Sequence, residues 1–355
     1  MPPQPHPNDV AVYVGRFQPF HVGHLALLRR ALALAPLCVV VIGSANQART
    51  PKNPFTAAER AQMIGQALSA DEHARVRFLP VRDHYDQARW VAAVRQGVAA
   101  LLAAEGKPPP AGVVLVGHFK DATSDYLSAF AGWSVESVER VDVADGTQLR
   151  NTLFSSSAAA MEATLAALSA QVPPSTLVFL RDWVALPHFE RLVHEWRLLN
   201  EHHAAWANTP AAPVFVTADA VVGCAAQVLL IRRAHAPGAG LLAVPGGLIG
   251  ARETAYQSCL RALKQATHLA VPDETMRHCL RGSAVFDHPD RSLRGRTLSH
   301  AFHFDLAERV LPAVRPGDAA QPVHWWPVAQ LLAVEDQFHE DNFHMLDHFL
   351  GLTDV

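Results

Sequence analysis

The first half of the chain alternates short β-branched runs with Ala- and Leu-rich stretches of helical spacing, and that alternation leaves few folds open. Val10 to Val14, Leu37 to Ile42, Val76 to Val81, Val113 to Val116 and Val135 to Val141 read as buried strands. Between them, His24 to Ala35, Thr56 to Leu68, Asp86 to Ala104 and Asp121 to Phe130 carry helical patterns. This order predicts an α/β fold, a doubly wound parallel sheet with helices on both faces. Ligands of such sheets sit at the carboxyl ends of the strands, beside the loops that follow.

The texture changes after a Pro-punctuated stretch containing Pro173, Pro174, Pro187, Pro210 and Pro213. Strands then recur closely, at Val214 to Val216, Ala220 to Leu230, Leu241 to Val244 and Leu298 to Phe304, around a helix at Glu253 to Thr267. This predicts a smaller α+β domain. With 355 residues the chain has room for about two domains. The expected division is a loose tail over 1–8, a first domain over 9–185, a linker over 186–212 and a second domain over 213–355.

A formal charge of −3 supplies no broad basic surface, which argues against a nucleic-acid binder. No apolar run reaches the length of a membrane span, and the Pro-rich start lacks the apolar core of a signal peptide, so a soluble, cytoplasmic protein is expected. Cys38, Cys224, Cys259 and Cys279 lie far apart in apolar settings, as free thiols of a reducing compartment do.

Directly after the first strand comes Gly15-Arg16-Phe17-Gln18-Pro19-Phe20-His21-Val22-Gly23-His24. Gly15 and Gly23 permit a close backbone approach, and the following helix aims its free N–H groups and positive dipole end at an anion. His21 and His24, three apart, share one face of a helical turn, where two imidazole donors can stabilise charge building on a phosphate under attack.

This string resembles the fingerprint of the nucleotidylyltransferase superfamily and, in its longer form, the nicotinamide-nucleotide adenylyltransferases fused to a Nudix domain. Ile42 to Thr50, Lys52 to Thr56 with Glu59-Arg60, and Val116-Gly117-His118-Phe119-Lys120-Asp121 match the same family. The second superfamily fingerprint corresponds to Val143 to Arg150, where Thr147 and Arg150 keep their spacing and Asp145 stands in the place of serine. The resemblance implies adenylyl transfer from ATP, brought in with Mg²⁺, to nicotinamide mononucleotide. It implies His21, His24 and Arg150 as catalytic residues, with Gly15, Arg16, Phe17, Gly23, Gly117, Lys120 and Thr147 around ATP. Thr147 is also expected to cap its helix. Asn53, Asp83, Tyr85 and Trp90 are expected to hold the nicotinamide nucleotide, the indole stacking on the cationic ring. A homo-oligomer of open stoichiometry is expected.

In the second half, Pro245 to Glu253 resembles the opening of a Nudix box. Five residues separate Gly247 from Glu253 and seven separate Glu253 from Arg261, as in the family pattern. The three glutamates that should follow are Ala262, Gln265 and Ala266, and His268 replaces a glycine. A hard cation is poorly held by an amide and not at all by a methyl group. The expectation is therefore a Nudix-like domain without a protein carboxylate cluster for metal and without hydrolysis. Asp287, Arg294 and Arg296 resemble an ADP-ribose-facing loop, which leaves open a nucleotide-sensing module or a bifunctional enzyme that also cleaves ADP-ribose. Gly238 to Ala243 fits a dinucleotide pattern but runs into a strand, so it reads as a hairpin loop.

Overall fold

The computed structural model describes residues 8–118, 128–138, 144–307, 310–317 and 320–353. The chain divides into two compact units, Met1–Val193 and His194–Val355.

The first unit opens with β1 (Val10–Gly15), α1 (Val22–Leu34) and β2 (Leu37–Ile42), followed by α2 (Ala57–Gln66) and α3 (Ala70–Ala74). Then come β3 (Val76–Pro80), α4 (Gln87–Ala104), β4 (Val113–Gly117), β5 (Ser134–Ser137) and α5 (Gly146–Ser155). The sheet order is β3-β2-β1-β4-β5, and every pairing is parallel. β2 is buried along its whole length, which requires cover on both faces. On one face Val10, Val12, Val39, Val41 and Leu115 pack against Val91, Val94, Val98 and Leu102 of α4. The order reverses between β1 and β4, so the crevice at their carboxyl ends is where a ligand fits.

The helix expected at Asp121 to Phe130, the end of the strand expected at Val135 to Val141, and Lys120 lie wholly or largely outside the described residues. After α6 (Met161–Ala167) and α7 (Pro174–Trp183), the segment expected as a linker is for most of its length the helix α8 (Pro187–Trp206). Proline at a helix start costs nothing, because its missing N–H would be unpaired there anyway. Phe189, Leu192 and Leu199 give this helix a buried face.

The second unit has a mixed sheet of β6 (Phe215–Cys224), β7 (Gln227–Arg233), β8 (Leu242–Ala243), β9 (Gly246–Leu248), β10 (Leu280–Phe286), β11 (Thr297–Leu306) and β12 (Ala320–Pro327). Its main path is β10-β11-β6-β7-β12, with β6 and β11 parallel. The expected single strand Ala220 to Leu230 is two strands of a hairpin. Ala225 and Ala226 make its turn at φ of 48° and 59°. A turn with both central residues left-handed normally uses Asn or Gly, and two alanines hide it from sequence. Gly238 and Gly240 do form a loop between antiparallel β7 and β8, each with positive φ.

Helix α9 (Ala255–Thr267) starts at Thr254, which exchanges capping hydrogen bonds with Gln257. It packs Cys259, Leu260, Leu263 and Ala266 against Ala218, Ala220 and Phe304 of the sheet. The helix ends on His268 at φ 43° and ψ 36°, a left-handed position that glycine occupies without strain. Substituting His268→Gly should stabilise the protein by about 0.5–1 kcal/mol. Calorimetric melting of the full chain checks this through an upward shift of the transition by about 1–4 °C, and an unchanged or lower transition contradicts it.

Candidate active site

The loop from β1 into α1 is held by an unusual helix cap. His21 is the N-cap of α1, and its Nδ1 accepts the backbone N–H of His24 at 3.3 Å. His24 Nδ1 in turn accepts the backbone N–H of His21, also at 3.3 Å. The two rings stack with centroids 3.6 Å apart. An imidazole nitrogen that accepts a hydrogen bond carries no proton, so the neutral tautomer of each ring has its hydrogen on Nε2. A cap that looks structural thus fixes two N–H donors side by side.

Phe17 and Phe20 lie against His24, at centroid distances of 5.0 and 5.8 Å. Burial among these rings holds the His24 imidazole well below its ordinary range, and the nearby His21 and His118 rings push it the same way. His24 is therefore a neutral donor at physiological pH. His118 follows β4 and is anchored by Nδ1 on the carbonyl of Val138 at 2.6 Å. The string Val116 to Asp121 contains it, but its bond to the Val138 carbonyl is not legible in sequence.

Gly15 and Gly23 make room for these rings. A Cβ on Gly15 would lie 2.7 Å from the Phe17 ring, and one on Gly23 would lie 3.2 Å from His21. Phe17 itself is 1 % exposed, and its ring packs against His24.

Helix α5 is capped by Asp145, whose Oδ1 accepts the N–H groups of Thr147 at 2.8 Å and Gln148 at 3.1 Å. The expected cap, Thr147, stands two residues after the cap position and instead accepts from Arg150 at 3.2 Å. Arg150 also donates to the Gln18 carbonyl at 2.6 Å, tying α5 to the first loop. Burial lowers its guanidinium to about 10, with the charge of Arg16 adding to the shift and Asp145 opposing it. Two guanidiniums that repel each other beside two imidazole donors make a pocket suited to a polyanion.

Beneath this pocket lies Arg60 of α2, 0 % exposed. It donates to the carbonyls of Arg16 at 2.8 Å, Gly43 at 2.6 Å, Ser44 at 3.0 Å and Thr56 at 3.2 Å. Gln18 adds a two-way bridge to the backbone of Phe55 at 2.9 Å in each direction. The loops after β1 and β2 are thereby one rigid unit.

On the β2–β3 side, Asp83 accepts from the Ser44 backbone at 3.1 Å, the Ser44 hydroxyl at 2.6 Å and Gln47 at 2.9 Å. Asn53 donates to Gln47 at 2.7 Å. Tyr85 is half-buried. Trp90 packs edge-on against Phe130, centroids 5.9 Å apart, as part of the α4 core. The structure therefore joins Asp83 and Asn53 in one network and gives Trp90 a packing role beside it.

A profile described as cytidylyltransferase-like matches residues 12–98, and one described as NUDIX domain matches residues 208–349. A nicotinamide/nicotinic acid mononucleotide adenylyltransferase of Acinetobacter baylyi is 32% identical over 190 residues, 53% of this chain and 94% of that protein. The chain belongs to the nicotinamide-nucleotide adenylyltransferase family. Its match to the Methanolobus tindarius enzyme of that family is 46% identical over 81 residues and spans about half of that protein, 46% of its length. A bifunctional NMN adenylyltransferase/ADP ribose pyrophosphatase from Francisella tularensis has the same architecture. The TM-score is 0.87 at 29% identity, covering 97% of this chain and 99% of that one. A second structure of the Francisella protein, complexed with AMP and a Mn ion, is 28% identical at the same TM-score.

This adenylyltransferase thus carries a Nudix domain, and the side chains of the Nudix box are engaged within their own helix and loop. Glu253 accepts from Ser258 at 2.6 Å and from Arg261 Nε at 2.9 Å, which with burial opposing holds its carboxyl below the usual range. Arg261 also donates to Gln265 at 3.2 Å and to the Leu248 carbonyl at 3.1 Å. Ala262 and Ala266 are each 6% exposed, and Ala262 faces Gly247. In the loop expected to face ADP-ribose, Arg296 donates to the backbone carbonyl of Asp287. Arg294 reaches to 3.7 Å of Glu340. The buried ion pair there belongs to Arg291 and Asp341, joined by two hydrogen bonds of 2.7 Å. Among the described residues no helix is long and apolar enough to cross a membrane, and all four cysteines are free.

Proposed function

We propose that the first unit transfers the adenylyl group of ATP to the 5′-phosphate of nicotinamide mononucleotide, giving NAD and pyrophosphate. The observation that carries the reading is the reciprocal histidine cap, which supports two neutral Nε2–H donors next to Arg16 and Arg150 at the crevice between β1 and β4. A phosphate oxygen of the mononucleotide attacks the α-phosphorus in line, and the bond to the bridging oxygen of pyrophosphate breaks. The nucleophile is already ionised at neutral pH, so no side chain has to act as a base. The protein's work is positioning and stabilisation of charge on the α-phosphoryl oxygens and the leaving group. Mg²⁺ enters on the triphosphate and neutralises part of its charge; the imidazole and guanidinium groups here are donors to phosphate oxygen rather than ligands for a hard cation.

The Nudix half is proposed not to hydrolyse ADP-ribose. Its support is the side chains themselves: methyl groups at 262 and 266, an amide at 265, and a Glu253 carboxylate already held by Ser258 and Arg261. Arg294, whose buried Nε has no partner among the described residues, supports a role in holding ADP-ribose without cleaving it.

One experiment reads both halves. Purified protein is incubated with Mg²⁺, ATP and nicotinamide mononucleotide in one vessel, and with ADP-ribose and Mg²⁺ or Mn²⁺ in another, with products identified by mass. NAD is expected in the first, and no AMP or ribose phosphate above the enzyme-free control in the second. Absence of NAD removes the first assignment, and metal-dependent AMP release removes the second.

A further inference from the structure

Asn53 lies in the loop after β2 and is 9% exposed. Its Nδ2 donates to Gln47 Oε1 at 2.7 Å, while its Oδ1 has no partner among the described residues. A buried carbonyl oxygen without a donor costs about 1–3 kcal/mol, and native proteins rarely leave one so unless something else supplies the hydrogen.

An amide can be turned end for end, so the orphaned atom is an oxygen only if an independent group fixes the orientation. Asp83 does so. An ionised carboxylate accepts and cannot donate. It must therefore receive the NH₂ end of Gln47, at 2.9 Å, which turns the Gln47 carbonyl toward Asn53. Asn53 must then give its own NH₂ to Gln47, which leaves its carbonyl as the unpartnered end of the relay. Reversing either amide alone would set two oxygens, or two NH₂ groups, face to face at hydrogen-bonding distance. The polarity of the acceptor at 53 is thus decided two links away, at a carboxylate pinned by the Ser44 backbone at 3.1 Å and its hydroxyl at 2.6 Å.

We propose that Asn53 Oδ1 accepts a hydrogen bond from the carboxamide of nicotinamide mononucleotide, and that this contact selects the amidated over the acid mononucleotide. The inference rests on the reading that the mononucleotide binds at the β2–β3 side of the site. The two mononucleotides differ only at this group. The amide offers an N–H, whereas the ionised acid would bring a carboxylate oxygen against a carbonyl oxygen, leaving both without a proton between them. Polar discrimination of this kind is stronger than discrimination by shape, because the wrong ligand leaves a buried group unpaired. A ribose hydroxyl offers the same donor chemistry but is common to both nucleotides.

The test is the ratio of kcat/KM for the amidated and the acid mononucleotide, measured on the full chain with saturating ATP. A ratio within one protein sample cancels the fraction that is folded. Wild type is expected to favour the amide. Asn53→Ala should lower the ratio about tenfold, the worth of one hydrogen bond near 1.4 kcal/mol. Asp83→Asn should go further. The Ser44 N–H fixes the new amide's oxygen, its NH₂ then faces Gln47, and Gln47 and Asn53 both reverse. Asn53 would present NH₂ to the ligand, and the preference should move toward the acid. An Asn53→Ala protein that loses rate equally on both nucleotides assigns the donor to the ribose and overturns the proposal. An unchanged ratio in Asp83→Asn overturns the relay. If wild type adenylylates neither nucleotide, the fault lies in the functional reading itself, which the same assay reports.

Discussion

Replacing His24 with alanine should lower kcat for adenylyl transfer by about 10²–10³-fold, the loss seen when one preorganised donor to a transition-state oxyanion is removed. KM for ATP should change far less, because a neutral imidazole adds little to ground-state binding beside Arg16 and Arg150. His24→Ala also removes the acceptor for the His21 backbone N–H, but the side chain of His21 still caps the helix, so circular dichroism should be unaltered. A variant with wild-type turnover would remove His24 from the chemistry. The same ring makes a statement about pH. Its folded-state value lies well below the 6.5 of a free imidazole, so between those two values the unfolded chain binds a proton that the native chain does not. Stability is unaffected by His24 above about pH 6.5 and declines as pH falls below it. Activity should likewise persist from pH 8 to pH 6.5 without the loss that a required imidazolium would cause.

The second large effect is expected at Arg60, which touches no substrate. Its guanidinium serves four backbone carbonyls in three segments, at Arg16, at Gly43 and Ser44, and at Thr56. Burial lowers it to about 10, with Asp83 and Glu59 supporting its charge, so it remains a cation at neutral pH. Arg60→Met fills much of the volume but takes the guanidinium donor from the carbonyls of Arg16, Gly43 and Ser44, at about 1–3 kcal/mol for each one that water cannot reach, while the Thr56 carbonyl keeps the backbone N–H of residue 60. Amide exchange in the loop after β2, from Gly43 to Phe55, should quicken by at least about 100-fold. KM for ATP should rise with it, since Arg16 loses its backbone anchor. Arg60→Lys keeps the charge but not the planar fork, and should recover only part of the protection. Unchanged exchange in Arg60→Met would show that the loops are held by Gln18, Asp83 and the Arg49–Glu59 ion pair without it.

The limits of sequence reading show most clearly in three places. Phe17 and Gly15 sit within the phosphate-loop string, but their order does not show that the glycine makes room for the phenylalanine or that the phenylalanine supports His24. Thr147 has the right spacing to follow a helix start, but Asp145 takes the cap because it stands just ahead of Gly146, where the helix begins. The hairpin at Ala225-Ala226 carries none of the residues that advertise a left-handed turn, so only the antiparallel pairing of β6 with β7 reveals it. His268 illustrates the opposite case. The family pattern asks for glycine there, and the backbone has kept the left-handed conformation that explains why.

What the sequence determined by itself was periodic or local. The spacing of β-branched runs dictated a parallel sheet, the loop after β1 marked the candidate site, and the chain reads Ala262, Gln265 and Ala266 where the family pattern has glutamates. These features are legible because each depends on neighbours within a turn or two of chain. Tertiary structure alone decided how Asp83, Gln47 and Asn53 are oriented, that Arg60 binds the loops together, and that burial holds the His24 imidazole below its ordinary range. Those outcomes depend on hydrogen-bond direction and burial among groups up to 44 residues apart, and neither quantity is written in the order of the residues.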